Sequence, residues 1–231
     1  MRPQLLVRKI HKWVGLILGI QILLWFVSGF LMSFMPIEEV RGDHLLKPQA
    51  PEHIQLNNID LSKLAQQVKS PIEAIEVKPW LGKTVIAVTT ATGSRLFETP
   101  EINPIKLNET QIKDILDTQL KESYEVVSID RLTEVPDEAR GRTGPLWQVK
   151  LADGENTRIY ISENNGEIVA KRTSRWRLFD FLWMLHIMDY DERSDFNHPL
   201  LYLTALCALL FTLSGFVLLY FSLRKKHKIL K

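Results

Sequence analysis

The sequence predicts an α+β membrane protein: two transmembrane helices flank an extracytoplasmic domain of two helix-plus-antiparallel-sheet repeats. Three observations lead there. Residues 13–37 and 199–223 contain no Asp, Glu, Lys, Arg or His. Between them, helical and strand-like segments alternate in the same order twice. Both flanks of the chain are basic, whereas the stretch between the apolar windows is acidic. The averages conceal this, because 231 residues, 45% apolar, with a net charge of +2 describe an ordinary globular protein.

The first window reads WVGLILGIQILLWFVSGFLMSFM and the second PLLYLTALCALLFTLSGFVLLYFSL. About 20 apolar residues, each rising 1.5 Å, cross roughly 30 Å of hydrocarbon, and a core helix of a soluble protein rarely stays charge-free that long. We therefore expect transmembrane helices over residues 13–36 and 198–223. A basic segment precedes the first, as in a signal peptide. Its apolar run is too long for that, and FMPIEE offers no small-residue cleavage site, so it reads as a retained anchor.

Residues 1–12 carry four Lys/Arg and residues 224–231 carry five, with no acids in either segment. The positive-inside rule then puts both termini in the cytoplasm and the central domain outside a bacterial inner membrane. What remains is 20 basic against 27 acidic residues, a net charge of −7. With its basic residues at the membrane edges and no recognition motif, the chain is not expected to bind nucleic acid. The single cysteine, Cys207, lies in the second window and reads as a small packing residue.

Residues 37–59 are rich in Pro and polar groups and read as a linker. The first repeat occupies residues 60–106. LSKLAQQVK is amphipathic behind Asp60, a good N-cap. IEAIEVKPW, TVIAVTT and RLFETP follow as strands with turns at Gly82 and Gly93. The second repeat occupies residues 107–173. NETQIKDILDTQL opens with Asn108 and has Gln111 three residues on, a capping box. YEVVSIDRL, PLWQVKLAD, TRIYISEN and EIVAKRT follow as strands, and Asn165-Gly166 is a hairpin signal. Helices on one face of antiparallel sheets are the economical arrangement of these elements. GRTG at 141–144 reads as a mobile hairpin loop, since it lacks the Lys-Ser/Thr of a phosphate loop.

WQVKLADGENTRIYISENNGEIV at 147–169 resembles the PepSY domain. KIHKWVGLILGIQILLWFVSGFLMSF at 9–34, together with WMLHIMD and TLSGF, resembles the PepSY-associated transmembrane family. The chain then looks like a small two-helix member with two PepSY-like repeats. The resemblance implies a link to iron acquisition, where some members are haem-bearing reductases of iron–siderophore complexes. It also allows a binding or inhibitory role, because PepSY domains occur in peptidase propeptides.

Four of the six histidines lie near membrane boundaries; His44 and His53 lie in the linker and read as solvated. His11, Gly15, Leu18, Gly19, Ile22, Phe26 and Gly29 share a stripe at 3–4 residue spacing. Gly15 and Gly19 form a small-xxx-small motif, which lets another helix approach. Two readings stay open: a dimer seam ending in an interfacial histidine, or a haem pocket in which glycines make room beside an axial imidazole. Gly29 and Gly215 are counted with these packing glycines.

RWRLFDFLWMLHIM reads as an interfacial amphipathic helix within residues 174–190, with Trp176, Phe179, Leu182, Trp183 and His186 on one face. His198 precedes Pro199 and suits the entry of the second membrane helix. His11 and His198 then lie at opposite faces, roughly 30 Å apart, too far to share one iron. An outer haem would use His186 with His198. An inner one would use His11 with His227, or His11 from two chains. Two membrane helices enclose a haem poorly, so a homodimer forming a four-helix bundle, or another membrane partner, is expected.

Asp189, Asp191, Glu192, Arg193 and Asp195 separate His186 from His198. Asp189 and Asp191 are candidate hard ligands for a divalent metal or ferric iron. The alternative is a solvated loop with local ion pairs, since the spacing matches no zinc or calcium motif. No nucleophile elbow, phosphate loop, flavin or nicotinamide fingerprint is present, so a reductase role would need an electron donor from elsewhere. Two functions are expected: a haem b-associated electron-transfer or iron-reduction component, an oxidoreductase if enzymatic, acting on an iron complex; or a non-enzymatic membrane-anchored module that binds a periplasmic protein.

Overall fold

The computed structural model describes residues 3–48, 54, 56 and 59–229, with side chains described from 8 to 224. His53 lies outside the described residues. The chain divides into two compact units, one made of residues 37–176 and the other of residues 1–36 with 177–231.

In the second of these, α1 (Pro3–Ser33) and α6 (Pro199–Ile229) pack against each other. Arg8–Ser33 and Pro199–Arg224 each reach a mean hydropathy of 2.2. Their large apolar side chains point outward: Ile17 is 74% exposed and Phe26 73%. A soluble core helix would bury these groups, whereas a helix in lipid presents them to acyl chains. α5 (Ser174–Ile187) begins in the central unit and continues into this one. The residues expected on one face of it, Trp176, Phe179, Leu182, Trp183 and His186, are partly or fully buried, as is Asp180, while Leu178 and Phe181 are half exposed.

The central unit holds two antiparallel meanders. α3 (Leu61–Gln67) precedes β1 (Ile72–Trp80), β2 (Lys83–Thr90) and β3 (Gly93–Glu98), which pair in that order. α4 (Glu109–Gln119) precedes β4 (Val126–Leu132), β5 (Leu146–Leu151), β6 (Arg158–Ser162) and β7 (Ile168–Arg172), again in sequence order. Side-chain alternation then gives each sheet one face for its helix. Leu64 of α3 meets Ile86, Val88 and Phe97. Ile112, Ile115 and Leu116 of α4 meet Trp147, Val149, Ile159 and Ile161.

The helix starts follow the capping logic. The Asp60 carboxylate accepts from the Ser62 and Lys63 amides at 3.0 and 3.1 Å. Asn108 and Gln111 close a reciprocal capping box at 3.0 and 3.1 Å. α3 stops early because Ser70 precedes Pro71, and a residue before proline is disfavoured in helix. The repeats meet where Gly166, at φ +64°, turns the β6–β7 hairpin under Trp80, and Lys78 pairs with Glu167 at 2.5 Å.

The first part of the linker, residues 37–48, carries regular structure that its composition does not predict. α2 (Ile37–Arg41) and a 3-10 turn at Asp43–Leu45 occupy its start. Leu45 then enters the core of the second sheet, and the Lys47 amide donates to the Gln119 carbonyl at 2.7 Å. Isolated apolar residues, here Val40 and Leu45, carry too little periodicity to be read in advance. His44 is exposed, as expected.

Candidate functional site

Two imidazoles are held inside the membrane unit in the same way. On α1, the His11 Nδ1 lies 2.6 Å from the Ser214 Oγ of α6. That hydroxyl also donates to the Phe211 carbonyl at 2.7 Å. When the serine proton is directed to that carbonyl, its oxygen accepts from the His11 Nδ1–H, and in the neutral ring this tautomer leaves a lone pair on Nε2. The ring is stacked on Phe211, with centroids 4.2 Å apart and planes at 11°. Gly215 fits against it: a Cβ there would lie 3.5 Å from His11 Cε1.

The second cluster uses α5 and the other end of α1. His186 Nδ1 lies 3.0 Å from the Ser28 Oγ, which donates to the Leu24 carbonyl at 2.6 Å. The same arrangement holds here: with the hydroxyl proton on that carbonyl, the Ser28 oxygen accepts from the His186 Nδ1–H, the tautomer that leaves a lone pair on Nε2. Gly29 faces this ring, since a Cβ would lie 3.3 Å from His186 Cε1. Ser28 is 1% exposed, so its hydroxyl is shielded from competing water. In both places a Ser-Gly pair on one helix receives a histidine from another. Serine fixes the ring and its tautomer; glycine lets the helices come close enough.

The sequence contained a signal for this that the histidine stripe did not capture. Ser28-Gly29-Phe30 and Ser214-Gly215-Phe216 are the same tripeptide near the C-terminal half of each membrane helix. His11 meets the tripeptide of α6 and His186 that of α1. The partners are 203 and 158 residues apart, so only the fold reveals who meets whom.

The glycines do different jobs. A Cβ on Gly15 would fall 2.9 Å from the Phe211 ring, so Gly15 seats α6 of the same chain. A Cβ on Gly19 would meet nothing within 4 Å. The small-xxx-small pair is thus half occupied within one chain.

His198 differs from both. Its Nε2 donates to the Met188 carbonyl at 3.0 Å, and its Nδ1 accepts the Leu200 amide at 3.0 Å. Both nitrogens are used, and the residue caps the N-terminus of α6. Of the expected His186–His198 pair, His198 thus has both nitrogens hydrogen-bonded to backbone groups, whereas His186 Nε2 has no hydrogen bond among the described residues. The backbone of His227 is helical, but its side chain lies outside the described ones.

The acidic loop is organised around Asp189. Its carboxylate accepts the amides of Asp191 at 3.2 Å, Ser194 at 2.9 Å and Asp195 at 3.1 Å. Burial opposes ionisation here, but the amides of Asp195, Ser194, Arg193 and Asp191 outweigh it and lower the pKa to about 2. The buried Asp180 carboxylate takes Arg193 at 2.5 Å, and the Trp183 indole donates to the Arg193 carbonyl at 3.2 Å. Asp189, expected with Asp191 as a hard ligand, organises the loop here through backbone donors on both of its oxygens. Among the described residues no group of three or more His, Cys, Asp or Glu is placed to hold a metal ion.

Two further donors lie on α1 between the histidine positions. Gln21 Nε2 and Trp25 Nε1 are buried and have no acceptor among the described residues. They sit four residues apart, one above the other on a single helix face.

These features, a histidine and a Ser-Gly-Phe on the first membrane helix and a second set near the other, run through the whole chain. A family model described as the PepSY-associated TM region matches residues 8–231. The chain belongs to this family. It is a membrane-anchored PepSY protein, and its bilayer-facing surface is the apolar exterior of α1 and α6. No curated protein and no solved structure matches it.

Proposed function

We propose that this PepSY-associated membrane protein holds haem b through the Nε2 atoms of His11 and His186 and serves in electron transfer or iron reduction. The observation that carries the reading is the shared contact: each Nδ1 lies against a serine hydroxyl, and in the tautomer where it donates there, Nε2 is a lone-pair donor of the kind iron takes. The donor set suits a haem iron: His11 and His186 would hold it, with a glycine beside each ring and, on α1, Gln21 and Trp25 N–H groups that have no acceptor among the described residues. When bound, haem would supply one-electron redox chemistry. The chain's own residues fix the imidazole planes and exclude water with the apolar faces of α1 and α6.

One chain offers a single free Nε2 in each cluster. A second copy completes the ligand sets in this reading, and the unfilled surface at Gly19 is where its helix would approach. The basic flanks orient the protein with both termini cytoplasmic and the central domain on the outer side of a bacterial inner membrane. An iron complex on that side is the proposed acceptor.

The test is an absorbance spectrum of protein purified after expression with ample haem. The reading predicts a Soret band that falls by about half in His11→Ala and in His186→Ala, and is unchanged in His198→Ala. No Soret band in the unmodified protein, or equal spectra in all variants, would refute it.

A second reading rests on β1, an edge strand whose residues Ile72 and Ile75 are 36% and 44% exposed. Such an edge accepts an added strand, and the protein would then be a binding module for a periplasmic partner. A pull-down with the full chain in detergent checks it: loss of the partner in Ile75→Lys supports strand addition, and undiminished recovery counts against it.

A further inference from the structure

The two repeats share one plan, but their helices differ in length. α4 has 11 residues and α3 has 7. Pro71 ends the first helix a full turn sooner, while the sheet beneath it continues. The uncovered end of the sheet forms a groove of about 340 Å³. Its size is at the lower end of the roughly 300–1,000 Å³ of small-ligand clefts.

The lining is chemically one-sided. Val88 and Phe97 form an apolar floor, 1% and 2% exposed. Lys69 and Arg95 stand at the rim, and among the described residues they make no ion pair and no carboxylate lines the groove. In a domain that is acidic overall, two cations with no acidic partner among the described residues, over an apolar floor, are a specific arrangement. The cause is local: Val88 and Arg95 are cross-strand partners, so they share the α3 face, and the missing helical turn leaves them open. The Ser70 hydroxyl adds a donor at the same edge.

We propose that this groove is a binding site for a carboxylate carried on a short apolar group. Arg95 takes the carboxylate through its planar fork, Lys69 adds a second positive charge, and the apolar group rests on Val88 and Phe97. Two sources share this chemistry: a free small carboxylic acid, and the C-terminus of a peptide with an apolar last residue. The site is independent of the haem reading, since all of its residues belong to the central unit.

The experiment uses the full chain in phosphatidylcholine nanodiscs and N-acetyl-4-fluorophenylalanine as probe, followed by fluorine NMR. The acid should bind at submillimolar concentration and its amide at least tenfold more weakly. Arg95→Gln and Lys69→Gln should each weaken the acid about tenfold, while Lys113→Gln on α4 should not. A tetrapeptide ending in free phenylalanine that binds tighter than the probe identifies a peptide end as the source; weaker binding identifies a small acid. Equal affinity for acid and amide, undiminished binding in both groove variants, or no binding at 10-fold higher probe concentration would overturn the proposal.

Discussion

Replacing Asp189 by Asn tests how the loop before α6 is held. The carboxylate pKa falls from 3.8 to about 2 because backbone amides of Asp195, Ser194, Arg193 and Asp191 converge on it against the cost of burial. At 1.36 kcal/mol per pKa unit, that shift corresponds to about 2.4 kcal/mol as an upper bound. Solvent at the loop surface reduces it, and a neutral amide oxygen retains part of each bond, so about 1–2 kcal/mol should be lost. Hydrogen exchange of a peptide spanning residues 188–198, measured at neutral pH, should therefore speed up roughly 5- to 30-fold. The sign with pH follows from the lowered native pKa: protection of the loop is fully present above about 4 and is lost as pH falls from there toward about 2. Unchanged exchange in Asp189→Asn, or loop protection that persists below pH 2, would refute the reasoning.

Two further substitutions probe the glycines. Gly166→Ala places a methyl 2.7 Å from the Trp80 indole at a φ of +64°, and should cost about 2–3 kcal/mol, lowering the melting temperature by roughly 5–10 °C. Gly82→Ala, also at positive φ but with nothing within 4 Å, should cost about 1 kcal/mol by the same thermal scan. Gly15→Leu should disrupt the α1–α6 pair through Phe211, whereas Gly19→Leu should leave the single chain folded and abolish the proposed pairing of two copies, as read by light scattering in detergent.

The elements with strong local signals were legible. The charge-free windows, the Asp60 cap, the Asn108 box and the Asn165-Gly166 hairpin need only neighbouring residues, and each appears where the sequence places it. The folded linker was not, because Leu45 finds its core in residues more than sixty positions away. The candidate site was half legible. His11 and His186 stood out by position, but their serine partners depend on the packing of three separate helices. For His198 and Asp189, residue type alone does not show which nitrogens and oxygens are already hydrogen-bonded. Their partners are backbone groups, which leave no trace in composition.

The central claim is that two membrane imidazoles are tethered through Nδ1 and offer Nε2. Nitrogen-15 NMR of histidine-labelled, cofactor-free protein in nanodiscs at pH 8 tests it most directly, with His11→Gln and His186→Gln for assignment. The account predicts a protonated Nδ1 and an unprotonated Nε2 at both residues, and the reverse at His198. Protonated Nε2 at His11 and His186 would contradict it.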